Sequence, residues 1–349
     1  MPDQTDWYTQ PLAAISTTHV ERAEARQSKL TKPPGSLGDL EQLAVRFAGW
    51  QSSEKPVLNR IVLRVFAGDH GVTARGVSAF PAEVTQQMVA NFIGGGAAIS
   101  VLARSLGADF RVVNLGMFAP PLDAMGLENL QLAPGTADFT EADAMNEVVL
   151  EQCLAAGRDV VDQVDADLFI AGDMGIGNTT SAAALLAAIS ECSLDDIVGR
   201  GTGVDDEGLK RKKQAIQLGL ERLGPYTGDW KGLLRGVGGL EIAAMCGAYL
   251  RCAQRGIPML LDGFISGSAA LMAQQVQAGV VEWMIAAHSS AEPGHKYMLH
   301  KLGLEPLLNL KLRLGEASGA ALAVPLLRDS LALHNRMSTF EEAAVSGSV

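Results

Sequence analysis

The sequence is poor in the residues that stabilise small secreted domains and hold structural metals. Its 349 residues include only four cysteines, at positions 153, 192, 246 and 252. Their spacing matches neither a C-x-x-C pair nor a Cys/His zinc site, so they are typical of reduced thiols in a cytoplasmic protein. The first ten residues are polar and acidic, which is not typical of a secretory signal.

The sequence also lacks an excess of positive charge. It has 28 Lys and Arg residues against 39 Asp and Glu residues, a formal net charge of −11, and no long basic block. This composition argues against nucleic acid or an anionic membrane as a partner. The Ala/Leu run at 182–189 is too short to span a membrane and is interpreted as a buried helix. An anionic substrate would therefore need a local positive site.

The chain instead repeats one order of segments: an apolar strand, a polar turn containing glycine, and an Ala-rich helix. The predicted strands include residues 60–67, 110–115, 167–171 and 257–261. This alternation predicts an α/β fold with a Rossmann-like, mostly parallel sheet covered by helices on both faces. Helices expected at 15–50 and 320–345 lie outside the alternation. They predict a small helical domain of residues 1–54 and 319–349 beside a large α/β domain of residues 55–318.

The turn after the strand at 167–171 has the chemistry of a phosphate site. Glycines 175 and 177 let the backbone approach an anion, and the start of the next helix supplies free N–H groups. Asp173 would repel phosphate, so we expect it to face a hydroxyl group or a base. An ordinary strand-to-helix turn with a capping threonine explains the same residues. The third glycine of a dinucleotide site and the lysine of a P-loop are both missing.

Other polar turns allow a functional and a structural interpretation. Asp69 and His70 follow the first strand and are either site residues or part of an Asx-bonded turn. The basic residues at 210–213 form either a solvated helix face or, beside the Gly-Thr-Gly turn at 201–203, a phosphate contact. Two histidines and a glutamate at 288–295 fit no usual zinc spacing, so no metal is expected.

Two further features lie near the C-terminal end. The alternating leucines at 308–314 fit either a strand or a helix. Glu316 lies among small residues, where a charge is costly unless it has a partner or a role. A glutamate at a helix N-terminus, stabilised by the helix dipole, would have the same sequence pattern.

Seven segments, in order along nearly the whole chain, resemble the nicotinate-nucleotide–dimethylbenzimidazole phosphoribosyltransferases. They are Lys32–Gly38, Gly68–Val72, Gly172–Thr180, Gly199–Gly203, Asp262–Gly267, His288–His295 and Leu314–Glu316. The resemblance implies that nicotinate mononucleotide and 5,6-dimethylbenzimidazole give α-ribazole 5′-phosphate and nicotinate, in cobalamin synthesis. It also implies a homodimer, no cofactor, and a small domain built from both chain ends. The family pattern usually has glutamate where this chain has Asp173.

The resemblance implies a role for individual residues. Glu316 is the expected general base, and Asp173 is an auxiliary carboxylate. The expected phosphate and nucleotide contacts are Gly175, Ile176, Gly177, Asn178, Thr179, Gly201, Gly203, Lys212, Asp262, Gly263, Ser289 and Ser290. The expected contacts of the flat aromatic base are Ser78, Gln87, Met174 and Leu314, and the choice between Gln86 and Gln87 is open.

Two other classes of protein are weighed against this transferase. A nucleotide-dependent oxidoreductase would need a G-x-G-x-x-G turn near the first strand, and the segment Gly68–Gly71 does not have it. A non-catalytic nucleotide sensor would bind nicotinate mononucleotide and leave it intact. The release of nicotinate, with and without the acceptor base, separates all three hypotheses.

Overall fold

The computed structural model describes residues 4–120 and 122–346. These residues form a seven-stranded parallel sheet in the order β3-β2-β1-β4-β5-β6-β7. The strands are β1 (Ile61–Gly68), β2 (Asp109–Gly116), β3 (Leu127–Asn129), β4 (Leu168–Met174), β5 (Met259–Leu261), β6 (Met284–His288) and β7 (Pro306–Leu308). The order reverses between β1 and β4, as in doubly wound sheets, which bind ligands beyond the carboxyl ends of their strands.

Helices connect the strands. They are α1 (Thr17–Gln27), α2 (Asp39–Gln51), α3 (Val84–Gly94), α4 (Ala98–Leu106), α5 (Glu147–Asp162), α6 (Asn178–Ile189), α7 (Leu194–Ile197), α8 (Asp206–Leu223), α9 (Trp230–Val237), α10 (Leu240–Arg255), α11 (Phe264–Val276), α12 (His295–Leu302) and α13 (Ser318–Arg336). Every residue of β1 and β4 is buried, as expected for strands covered on both faces. The predicted α/β class is therefore confirmed.

The structure refines several predicted segments. The excursion at 117–140 contains the short edge strand β3. The helix expected at 141–163 begins only at Glu147, because the Asn146 side chain caps it by accepting the N–H of Val149 at 2.9 Å. The segment at 308–314 is not a helix: β7 ends at Leu308, and an irregular loop leads from there to α13.

The longest apolar helical stretch, Val84–Leu106, has a mean hydropathy of 1.3 and would be long enough to cross a bilayer by composition alone. The backbone divides it into α3 and α4 at Gly95, whose φ of 81° ends the first helix. The run at 182–189 belongs to α6, which is an apolar helix of 12 residues.

Helix α13 joins the two ends of the chain. It packs against α2 on one side and against α4 and β6 on the other. The Arg26 guanidinium of α1 donates to the carbonyl oxygens of His334 and Met337, at 2.8 and 3.1 Å. The Ser330 hydroxyl donates to the carbonyl of Leu40 at 2.6 Å. These contacts hold the N-terminal helices on the C-terminal helix, and the domain division at residues 54 and 318 stays a prediction.

Candidate active site

A cavity of about 260 Å³ lies beyond the carboxyl ends of β4, β5 and β6, and the loop before α13 borders it. The predicted site residues that line it are Asp173, Asn178, Thr179, Gly201, Gly263, Ser290 and Leu314. Residues from separate segments of the chain thus meet where a doubly wound sheet binds its ligands.

Glu316 lies in a strained turn beside this cavity, directly after Gly315, which lines it. Gly315, Glu316 and Ala317 all have a left-handed backbone, with φ of 82°, 64° and 70°. Glycine adopts this backbone conformation without strain, but Glu316 and Ala317 do not. Strained backbone of this kind clusters at functional sites. Burial, and next the charge of Asp262, raises the pKa of Glu316 to about 7. Glu316 lies outside α13, which starts at Ser318, so it is not the first-turn glutamate of a helix.

Asp173 is the next-to-last residue of β4, close to the turn that contains Glu316. The side-chain amide of Asn178 donates to its Oδ2 at 2.9 Å. Burial is the largest cause that raises the pKa of Asp173, to about 8, followed by the charge of Asp262; Glu316 adds a smaller effect. The cavity therefore has two neighbouring carboxyl groups that both hold protons more tightly than usual.

The glycine turn from Gly175 to Gly177 leads into α6. Gly177 has φ of 97° and occupies the N-cap position, where no side chain caps the helix. The N–H of Ile176 donates to the Thr85 hydroxyl at 3.1 Å, and the N–H of Asn178 donates to the carbonyl of Gly175 at 3.0 Å. Two of the backbone N–H groups that were expected to bind phosphate therefore stabilise the turn itself.

Lys212 is the buried member of the basic cluster, with 1% of its surface exposed. Its Nζ donates to the Thr179 hydroxyl at 2.7 Å and to the carbonyl of Gly199 at 3.2 Å. Burial lowers the pKa of Lys212 to about 8. By contrast, Lys210 and Lys213 form ion pairs with Glu207 and Asp195 on the outside of α8. The cluster is thus a solvated helix face with one lysine turned inward.

His288 lines the cavity, and the buried Asp262 lies next to it. The Asp262 Oδ1 accepts the N–H of Ala320 in α13 at 2.8 Å and lies 3.6 Å from the His288 Nε2. Burial alone would lower the pKa of His288, but the neighbouring Asp262 carboxylate raises it above its ordinary value. Asp262 is only 1% exposed. It therefore acts on the cavity through its charge and through α13.

Some predicted contacts lie outside the lining of the cavity. The Ser78 hydroxyl is 3.3 Å from that of Thr202 at the rim. Gln87 is exposed on α3, whereas the Gln86 amide donates to the carbonyl of Pro120. Met174 is buried at the end of β4. The N–H of Ser289 donates to the carbonyl of Leu308 at 2.7 Å.

Gly203 is exposed beside a second cavity, of about 530 Å³, which shares Gly201 with the first one. Glu292 and Arg313 also line both cavities. Sequence reasoning missed Arg313 and Glu292 as lining residues, together with Phe80, Phe264 and Ile265. Phe264, Ile265 and Glu292 lie within two segments that carry the family resemblance, Asp262–Gly267 and His288–His295, although no contact was expected of them. Phe80 and Arg313 lie in none of the seven segments, so no motif pointed to them.

No group of three His, Cys, Asp or Glu side chains in the described ranges is arranged to hold a metal ion. The four cysteines are all free thiols, and three of them are buried. The polar side chains that line the cavity are those of Asp173, Asn178, Thr179, Thr202, His288, Ser290, Glu292 and Arg313.

Comparison with known proteins gives consistent results. Residues 12–345 match the family model DBI_PRT, described as phosphoribosyltransferase. The chain is 51% identical over 343 residues to a nicotinate-nucleotide–dimethylbenzimidazole phosphoribosyltransferase of Pseudomonas fluorescens SBW25, covering 97% of this chain and 98% of that protein. A relative of the same name from Pseudomonas aeruginosa PAO1 is 53% identical, over 93% of both chains. The crystal structure of CobT from Thermus thermophilus superposes with a TM-score of 0.91 at 45% identity, covering 95% of this chain and 100% of that chain.

Proposed function

Because the chain belongs to the family of nicotinate-nucleotide–dimethylbenzimidazole phosphoribosyltransferases, we propose that it uses the substrates for which its relatives are named. It transfers the 5-phosphoribosyl group of nicotinate mononucleotide to 5,6-dimethylbenzimidazole, with inversion at the anomeric carbon. The products are α-ribazole 5′-phosphate and nicotinate. The observation that carries this proposal is Glu316, a buried carboxyl group with a pKa of about 7 in a strained turn at the cavity.

The reaction needs little besides one base. The bond between the anomeric carbon and the pyridinium nitrogen breaks, and its electron pair neutralises that nitrogen, so nicotinate leaves without a general acid. A benzimidazole nitrogen forms the new bond from the opposite face. The proton on the other nitrogen must then be removed, and Glu316 accepts it. A base is most effective when its pKa lies near the working pH, as the pKa of Glu316 does.

Positive charge develops on the sugar as the old bond breaks, and carboxylates close to it lower the barrier. Asp173 lines the cavity and lies close to Glu316, so we assign it this auxiliary role. With its pKa near 8, much of Asp173 is protonated at neutral pH. The protonated group can donate a hydrogen bond to a sugar hydroxyl, and only the ionised fraction of Asp173 stabilises the positive charge.

The 5′-phosphate needs a positive subsite in this acidic chain. Lys212 supplies a buried ammonium group that reaches the cavity through Thr179 and lies under the turn at Gly201. The amides of Gly175, Gly177, Gly201 and Thr202, with Ser289 and Ser290, are proposed to complete it. The N–H groups of Ile176 and Gly203 already donate to the Thr85 hydroxyl and to the carbonyl of Arg200. Asp262 and Gly263 are assigned to the same nucleotide side of the cavity.

The aromatic acceptor base needs apolar walls. Phe80, Phe264, Ile265 and Leu314 line the cavity and offer such walls. Ser78, Gln87 and Met174 stay proposed contacts at the edge of this slot. A homodimer is proposed as well, because Phe80 and Leu314 are 50% and 57% exposed although they are large apolar residues at the cavity. A cytoplasmic location fits the four free thiols.

Nicotinate release is the experiment that tests this function. The purified protein is mixed with nicotinate mononucleotide, with and without 5,6-dimethylbenzimidazole, and the products are separated by liquid chromatography. We expect nicotinate and α-ribazole 5′-phosphate in equal amounts, only when the base is present. An intact mononucleotide in both mixtures would mean a binding protein. Release that does not depend on the base would mean a hydrolase.

A further inference from the structure

His70 has no part in the proposed reaction, yet it lies directly beneath the glycine turn. A Cβ atom placed on Gly175 would lie 3.2 Å from the His70 Cδ2 and Nε2, and one on Gly177 would lie 3.4 Å from the His70 Cβ. The Gly175–Gly177 turn therefore rests on the His70 side chain, together with the carbonyl of Gly68 and the Thr73 methyl group. His70 itself is fully buried, at 0% exposure.

Two hydrogen bonds fix the rotation of this ring. The His70 Nε2 lies 2.8 Å from the Glu241 Oε1, and the Nδ1 lies 3.1 Å from the Ser181 Oγ. Both groups are satisfied when Nε2–H donates to the carboxylate and Nδ1 accepts the serine hydroxyl. Glu241 belongs to the first turn of α10 and Ser181 to the first turn of α6. The ring, which follows β1 by two residues, thus links the N-terminal ends of α6 and α10.

This arrangement is costly for a purely structural contact. Glu241 and Ser181 are both 0% exposed, and the Glu241 Oε2 has no hydrogen-bond partner among the described residues. A buried carboxylate that is only partly satisfied lowers stability relative to an apolar residue of the same size. The backbone of Gly239 also lies close to the His70 ring, since a Cβ atom on Gly239 would lie 2.5 Å from the His70 Cε1. The ring therefore has little room to turn.

We propose that His70, held by Glu241 and Ser181, is a positioning residue for the 5′-phosphate subsite. This inference rests on the proposed function of the glycine turn. The imidazole holds the turn, so that the amides after Asp173 keep one direction toward the bound phosphate. Removing a hydrogen bond from the ring lets the turn shift, and phosphate binding weakens while proton transfer at Glu316 is unaffected.

The test uses variants that remove one hydrogen bond each. Ser181→Ala removes the partner of Nδ1, and Glu241→Met removes the partner of Nε2 at similar volume. We expect each to raise the KM for nicotinate mononucleotide about five- to tenfold, the effect of one buried hydrogen bond. The inhibition constant of inorganic phosphate rises in parallel, while kcat and the KM for dimethylbenzimidazole of Ser181→Ala change less than about twofold. Glu241→Gln keeps an acceptor for Nε2–H and restores most of the nucleotide KM.

Ser100→Ala is the matched control, because Ser100 of α4 is also a buried serine. Its hydroxyl donates to the carbonyl of Phe92 at 2.8 Å. The substitution should lower stability without changing the nucleotide KM. The proposal is overturned if Ser181→Ala and Glu241→Met lower the melting temperature but leave the nucleotide KM and phosphate inhibition as in the wild type. A wild-type protein that releases no nicotinate would instead overturn the proposed function, and this result is seen before any variant is made.

Discussion

The backbone of Glu316 lies directly against Gly172. A Cβ atom on Gly172 would lie 2.7 Å from the carbonyl carbon of Glu316 and 2.8 Å from its carbonyl oxygen. Real Cβ atoms do not approach backbone so closely, so only glycine in β4 lets the strained turn reach this depth. The glycine that ends the apolar part of the strand thereby sets the position of the proposed base.

Replacing this glycine should therefore affect catalysis more than binding. Gly172→Ala pushes the turn away from β4, and we expect kcat to fall on the order of 100-fold, as for a base displaced by about 1 Å. The KM for nicotinate mononucleotide should change little. Steady-state kinetics check this, with Gly94→Ala as the control, because a Cβ on Gly94 would meet no atom within 4 Å. An unchanged kcat in Gly172→Ala would show that the turn tolerates the shift.

The pH dependence of turnover should report the proton on Glu316. The base works only when ionised, and its pKa is raised to about 7. We therefore expect kcat/KM, which reports ionisations of the free enzyme, to fall as the pH drops below about 7 and to level off above it. Asp262→Asn removes a negative charge that raises this pKa, so the acid limb of the profile should move to lower pH. A profile that is flat between about pH 5 and 8 would contradict the assignment.

Lys212 should contribute to nucleotide affinity. Lys212→Ala removes the buried ammonium group, and the loss of a charged hydrogen bond raises the KM for nicotinate mononucleotide about 10- to 100-fold. Because the pKa of Lys212 is lowered to about 8, the wild-type KM should also rise above that pH. Lys213→Ala is the control, since its Nζ pairs with Asp195 on the surface. Equal effects of the two substitutions would mean that only the general charge of α8 matters.

Asp173 should destabilise the fold as the pH rises. Its folded-state pKa of about 8 lies above the ordinary value of 3.8, so the folded protein holds a proton that the unfolded chain loses. Stability therefore falls as the pH increases between these two values. Asp173→Asn removes this effect and keeps an acceptor for Asn178. We expect its melting temperature to exceed that of the wild type by several degrees at about pH 8.5 and to equal it at about pH 4.

Thermal unfolding at these two pH values checks the prediction for Asp173. Asp195→Asn is the comparison, because Lys213 lowers the pKa of that exposed carboxyl group. It should not raise the melting temperature at the higher pH. A gain of the same size at both pH values in Asp173→Asn would mean that packing, and not ionisation, is responsible.

The fold class was predictable from the sequence because the strand–turn–helix order is local. The apolar strand at 167–171 and the glycine turn after it reappear as β4 and the start of α6. The residues of the basic cluster alone predicted Lys212 only as one of four candidates, and the family resemblance singled it out. Which of the four turns inward depends on how α8 packs on Gly199 and Thr179, and the sequence of one helix does not contain that information.

The rest of the site depends on segments that are distant in the chain. Arg313 donates to the carbonyl of Gly201 at 3.3 Å across a separation of 112 residues. The left-handed backbone at Glu316 and Ala317 was hidden because neither residue is a glycine. The N–H of Ile176 donates to the hydroxyl of Thr85, a residue of α3 that belongs to none of the sequence motifs. Such contacts follow from tertiary packing, so periodicity and spacing do not reveal them.

The central claim is that the Glu316 carboxylate removes the proton from the acceptor base, and Glu316→Gln tests it most directly. The substitution keeps the size of the side chain and removes its basicity. The measurement is kcat for Glu316→Gln at about pH 8, alongside the KM for nicotinate mononucleotide. We predict a kcat about 10²–10⁴-fold below that of the wild type, the usual contribution of a general base, with the KM nearly unchanged. Turnover equal to that of the wild type would contradict the account.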